Sequence, residues 1–197
     1  MSAAADDASA GTEDLDRALI EETAKKSALL WVRGPEGPAR PLWHVWHEGA
    51  VCLVGRSSDA PGPDRDPGRT EQPLAGLGLT DGGTATVTAR SKDKGGRLIS
   101  WPARVVEPAP GSPEWSETVA RLRPKRLNAP DADAVAERWA RECRVLRLEP
   151  AGACSQRPGR MPDAAHTAAP LPTPATTRRR APAGLPKLLL RRRRSSR

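Results

Sequence analysis

The chain has 197 residues, enough for one domain with some extra, and a formal net charge of +8. Residues 1–150 hold 21 Lys and Arg against 23 Asp and Glu, whereas residues 151–197 hold 11 against the single acid Asp163. The basicity belongs to the C-terminal segment, so the charge gives no ground for reading the folded part as a nucleic-acid-binding domain.

Met1–Gly11 reads as a disordered N-terminus. Thr12 can cap a first helix, with Glu13 and Asp14 favourable in its first turn and Lys25 and Lys26 at its end. Ser27–Arg33 (SALLWVR) is a first strand, and Gly34-Pro35-Glu36-Gly37-Pro38 a turn. Pro41–Trp46 and Ala50–Val54 form a hairpin. Leu42, His44 and Trp46 share one face of its first strand, Trp43 and Val45 the other. Both faces suit a strand held between a core and a second layer or partner.

Residues 55–83 are a long Gly, Pro and Asp-rich loop, a length that is usually functional or disordered. A second hairpin follows, Thr84–Arg90 and Arg97–Val106. Val87 and Ala89 face one way, and Thr86, Thr88 and Arg90 the other. Ile99, Trp101, Ala103 and Val105 form the apolar face of the return strand, where Pro102 suggests an edge or a bulge. Ser112-Pro113-Glu114 starts a helix with a cap, a proline at the first helical position and an acid. Asp131 can cap another helix, with Val135 and Trp139 on one stripe. Cys143–Leu148 is a last strand.

Residues 151–197 are rich in Pro, Ala and Arg, with blocks at Arg178–Arg180 and Arg191–Arg194. They predict a disordered tail, since such a segment buries too little apolar surface to offset its ordering entropy. A GC-rich stretch read in another frame has the same composition. The Arg blocks would bind nucleic acid or anionic lipid only nonspecifically.

The chain has no Phe and no Tyr, so its aromatic mass rests on six tryptophans. Cys52, Cys143 and Cys154 show no CxxC or metal-ligand spacing, which predicts a reducing compartment and no metal centre among them. The N-terminus lacks a basic-then-apolar leader, and no apolar run approaches the roughly 20 residues of a membrane span. The expectation is a soluble cytoplasmic protein.

The strand order, PLWHVWHEGAVCLVG, ARSKDKGGRLISWPARV, and PEWSETVARLRPKRLNAPD followed by RWARECRVLRL together resemble the pyridoxamine 5′-phosphate oxidase-like family of flavin-binding split β-barrels. The likeness runs from Leu15 to Pro150. It implies a mainly β fold with flanking helices (α+β): a six-stranded split β-barrel over residues 12–150, followed by the tail. It also implies a homodimer that holds FMN, or in relatives the deazaflavin F420, haem or nothing, with basic side chains on the phosphate. The function implied is flavin-dependent hydride or two-electron transfer with a small organic substrate. The alternative is a non-catalytic cofactor- or ligand-binding barrel. The chain departs from the flavin-binding oxidases after its third strand: Arg56-Ser57-Ser58 stands where they carry an Arg or Lys pair. No substrate motif of the true pyridoxamine phosphate oxidases is present.

The candidate cofactor contacts are Trp43, His44, Arg56, Arg90, Ser91, Lys92, Lys94 and Arg97. Arg90, Ser91, Lys92, Lys94 and Arg97 surround one turn and could hold phosphate; a hairpin tip coated with charge for solubility has the same composition. His44 can border a flavin or simply pack in its strand. Trp43, Trp46 and Trp101 can stack on a planar ring or fill the core. Lys125-Arg126-Leu127-Asn128 can reach a phosphate or cap the helix before it. His44 and His47 point to opposite faces of a strand, so they are not a metal pair. No nucleophile is marked and no catalytic residue is predicted.

Overall fold

The computed structural model describes residues 3–56, 71–91 and 96–158, with side chains from residue 12 onward. The elements are α1 (Ala3–Lys26), β1 (Leu29–Arg33), β2 (Arg40–Trp43), β3 (Val45–His47), β4 (Ala50–Arg56), β5 (Thr84–Arg90), β6 (Arg97–Val106), α2 (Pro113–Leu122), a 3₁₀ turn (Arg123–Lys125), α3 (Val135–Glu142) and β7 (Cys143–Pro150). The strands form one antiparallel sheet in the order β2-β1-β5-β6-β7-β4-β3.

That order explains the barrel. Its two edge strands, β2 and β3, are consecutive pieces of one chain separated only by His44. β2 pairs with β1, and β3 pairs with β4. A single kinked strand therefore serves both edges, and the sheet curls into a nearly closed, split barrel. The six strands expected from the sequence are these, with the second one broken at His44.

The break has a physical cause. Continuing the β3–β4 register would place Trp43 opposite Val54, but the side chain of Gln72 occupies that seam. Its Oε1 accepts from Trp43 N at 2.8 Å. Its Nε2 donates to Trp43 O and to Val54 O, both at 3.0 Å. The amide takes the place of a missing peptide in the ladder. Beside it, Arg56 N donates to Gln72 O and Leu74 N to Arg56 O.

Alternation sorts the two layers as the sequence suggests. Leu30, Val32, Val87, Ala89, Ile99, Trp101, Ala103 and Val105 fill the barrel, joined by Ile20 and Ala24 of α1. On the other face of β3, β4 and β7, residues Val45, Cys52, Val54 and Val145 pack under Trp115, Val119 and Leu122 of α2 and Trp139 of α3. Trp43 is half-buried against this second cluster, and Trp46 against the first. Ser112 caps α2 as its sequence predicts, accepting from Trp115 N at 3.1 Å.

Several expectations are corrected. α1 opens at Ala3, well before Thr12, in an alanine-rich stretch of high helix propensity. Asp131 does not cap α3, because its carboxylate is taken by Arg138, 2.7 Å away. Pro102 sits in an interior strand opposite Thr86. It is tolerated because its N side faces the end of the β7 ladder, where Ala151 N donates to Pro102 O. The loop after β4 is anchored in its second part: Leu74, Leu77 and Leu79 are buried in the barrel. Leu77 passes so close to Gly34 that a side chain there would overlap its carbonyl.

The ordered domain also runs past Pro150. Gln156 makes a two-way backbone bridge with Ser100, and Ser155 Oγ donates to Ser100 O. Cys154 N at 2.8 Å and Arg157 at 2.6 Å both donate to Asp16 Oδ2 on α1. Residues 151–157 thus strap β6 to α1. The Arg blocks of the tail, and Ser57 and Ser58, lie outside the described residues. Burial works against ionisation of Asp16, but the Cys154 amide and Arg157 outweigh it and hold the carboxyl below its usual 3.8. A depressed carboxyl stabilises the fold above the unfolded value and loses that contribution as pH falls through the lower folded one. Hydrogen exchange should therefore show residues 151–157 loosening only below about pH 4. Asp16→Asn should remove the step, and a step that survives that change would reject Asp16 as its origin.

Candidate functional site

The second hairpin brings part of the sequence-predicted set together. Arg90 and Arg97 are paired across β5 and β6. The register shifts between Ala89 and Arg90: Ile99 opposes Ala89 while Arg97 opposes Arg90, leaving Leu98 as an extra residue. Such a bulge re-aims side chains at a strand end. Arg90 lies on the outer face with Thr86 and Thr88, since the alternate residues Ala85, Val87 and Ala89 are buried.

On β1 the outer residues are Leu29, Trp31 and Arg33. The Arg90 guanidinium sits over the Trp31 ring, 4.1 Å from its centroid. This contact fixes the cation at one rim of the outer face and partly shields an indole that would otherwise face water. Leu29, on the same face of β1 as Trp31, and Leu98, the bulge residue next to Arg97, are 51% and 40% exposed, so this end of the hairpin combines two guanidiniums with apolar surface. Thr88 and Ser100 join their hydroxyls at 2.9 Å on the same face. Ser91 N donates to Gly96 O at 2.8 Å, closing the hairpin. Lys92 and Lys94 lie outside the described residues.

The other candidates are placed elsewhere. Arg56 is on β4, which is not adjacent to β5 or β6 in the sheet. Its backbone is bound to the Gln72–Leu74 segment. His44, at the strand break, is buried, and its Nε2 lies 2.9 Å from Ala24 O in the last turn of α1. A carbonyl only accepts, so Nε2 carries the proton, and the imidazole satisfies one of the carbonyls that a helix end leaves open. Burial drives the His44 pKa down against the opposing effect of this bond. His44 is thus a neutral tether of α1 to the kink, with Nδ1 lacking a partner.

Lys125–Asn128 holds a feature that the sequence does not disclose. Arg126 Nε lies 3.0 Å from both carboxylate oxygens of Glu71. Arg138 reaches Glu71 Oε1 at 3.1 Å, and the Trp139 indole N–H donates to the same oxygen at 3.0 Å. Glu71 is buried, so this network is structural glue between the post-β4 loop and α3.

The thiols offer no nucleophile at neutral pH. Burial pushes Cys52 up to about 11, and Cys143 and Cys154 to about 12. A thiolate is the reactive form, and it is disfavoured at all three. No helix among the described residues is long and apolar enough to cross a membrane.

No protein-family model matches the sequence, and no curated protein does. Among solved structures the chain is similar to HutZ, the heme storage protein from Vibrio cholerae. The two share 12% sequence identity, with a TM-score of 0.46 over 70% of this chain and 91% of that one.

Proposed function

We propose that this chain is a split-barrel ligand-binding protein, acting as a homodimer, that takes a planar ring with an anionic arm on the outer face of β1, β5 and β6. The observation that carries this reading is the Arg90 guanidinium held over Trp31, with Arg97 across the hairpin and exposed Leu29 and Leu98 beside them. Two guanidiniums suit a phosphate or carboxylate, each able to engage two oxygens at once. The apolar rim suits the body of a ring, and a second copy of the chain would bury what the ring leaves open.

FMN fits this class, as do F420 and haem. The described side chains give no reason to place bond-breaking chemistry on the protein: the thiols are protonated and His44 is committed to α1. A bound flavin would itself supply hydride or two-electron transfer with a small organic substrate. The chain's part is to bind the anion, orient the ring and cover it.

The test is a visible spectrum of the purified protein, taken before and after incubation with FMN, F420 and haem in turn, each followed by desalting. One chromophore should be retained. Arg90→Ala should weaken its binding by about tenfold or more, the scale of one charge-assisted hydrogen bond. Equal affinity in Arg90→Ala and Arg97→Ala would overturn the assignment of this rim. A monomeric mass in solution would remove the homodimer.

A further inference from the structure

The geometry points to a binding site for a divalent first-row cation where the β3–β4 turn meets α2, formed by His47, Glu48 and Glu117. It lies on the α2-covered face of the barrel and does not depend on the ligand reading above.

The turn itself sets up the donors. β3 and β4 are joined by two residues, Glu48 and Gly49, at φ 46° and 72°. Two successive positive φ values make the type I′ turn that matches strand twist. His47 closes the ladder opposite Ala50, on the same face of β3 as Val45, and that face packs under α2. Glu117 stands on α2 beside the buried Thr118. One donor atom from each of His47, Glu48 and Glu117 lies within 4.8 Å of the other two. Donors around a tetrahedral ion at ~2.0 Å lie about 3.3 Å apart, so a small rotation of the two exposed glutamates closes the set.

Two further observations favour a cation. His47 Nε2 is screened from solvent, has no hydrogen-bond partner and lies 3.9 Å from Glu48 Oε2. A buried ring nitrogen left unpaired is costly, and a metal would satisfy it as a lone-pair donor. The charges also leave room. Glu48 and Glu114 approach one buried cation, Arg147, whose Nε is 3.1 Å from Glu114 and whose nearest approach to the Glu48 carboxylate is 4.0 Å, and Glu117 adds a third carboxylate beside Glu48. Arg147 otherwise donates to the Glu48 backbone carbonyl. Three acids against one guanidinium leave two negative charges, which a divalent ion would neutralise. One imidazole and two carboxylates suit zinc and its neighbours better than Mg²⁺ or Ca²⁺, which favour oxygen-only sets. The bound ion would clamp the turn to α2 and keep a coordination position open to solvent.

The experiment uses the full chain, stripped with EDTA and titrated with Zn²⁺ by calorimetry, then with Co²⁺ by visible absorption. One ion per chain should bind. His47→Ala and Glu117→Gln should each weaken binding about tenfold or more and abolish the Co²⁺ ligand-field band. Glu114→Gln removes a nearby charge but no donor atom, so it should weaken binding less than either ligand variant and leave the Co²⁺ band in place. Glu117 is exposed, so its variant keeps the test sound even if His47→Ala folds poorly. Absence of saturable binding would overturn the proposal, leaving only the 3.9 Å approach of His47 to Glu48. Binding unchanged in Glu117→Gln would overturn it too and assign the ion to other donors.

Discussion

Glu71→Ala is expected to cost about 3–5 kcal/mol of folding stability, the usual penalty for breaking a buried ion pair from one side. The carboxylate side chain is 1% exposed, and its guanidinium partners on Arg126 and Arg138 are 14% and 7% exposed. Removing it strips Arg126 of a two-oxygen acceptor and Trp139 of its indole partner, while Arg138 keeps its pairing with Asp131. Two cations would then face a site from which water is largely excluded. Glu71→Gln retains an acceptor for the indole but not the charge, so it should fall between wild type and alanine. Denaturant unfolding gives the comparison directly. A loss under about 1 kcal/mol for the alanine variant would mean that solvent screens the network as it does surface pairs.

Gln72→Ala should cost about 2–3 kcal/mol, one ordinary increment for each of its three hydrogen bonds to the seam. The loss should be concentrated at the kink. Amide exchange of Trp43 should accelerate, because its N–H loses its acceptor, while the β5–β6 amides stay protected. Gln72→Glu separates hydrogen bonding from size. It keeps an acceptor for Trp43 N but turns a second oxygen toward the carbonyls of Trp43 and Val54, so it should be worse than alanine at neutral pH. If glutamate were tolerated better than alanine, the amide would not be bridging the ladder.

Periodicity made most of the barrel wall readable. The alternation in β5 and β6 identifies the buried residues, and Ser112-Pro113-Glu114 marks the start of α2. The strand break at His44 is not visible that way, because the chain keeps its alternation while changing its partner from β1 to β4. Leu74, Leu77 and Leu79 escape notice for another reason: they enter the core from a stretch with no period, spaced by glycines. The Glu71 network and the His47–Glu117 cluster join residues far apart in the chain, and neither has a spacing to detect. Of the candidate cofactor contacts, Arg90 and Arg97 were readable as a pair because they flank one turn. Arg56 joins them only by its place after the third strand, where the resembling oxidases carry an Arg or Lys pair, and the sheet order sets it apart.

β7 has a consequence for how the protein is made. It is the last strand among the described residues, yet it lies between β4 and β6 and is bonded to both. A chain still emerging from the ribosome holds those two strands as separate open edges until Cys143–Pro150 is released. Neither can close on the other, since the strand that joins them has not been synthesised. During that interval the apolar Val51–Val54 run of β4 is a template for intermolecular pairing. Chains ending before β7 should therefore aggregate rather than fold partially, and the rate of barrel closure should follow the arrival of the last strand more than the formation of any early hairpin.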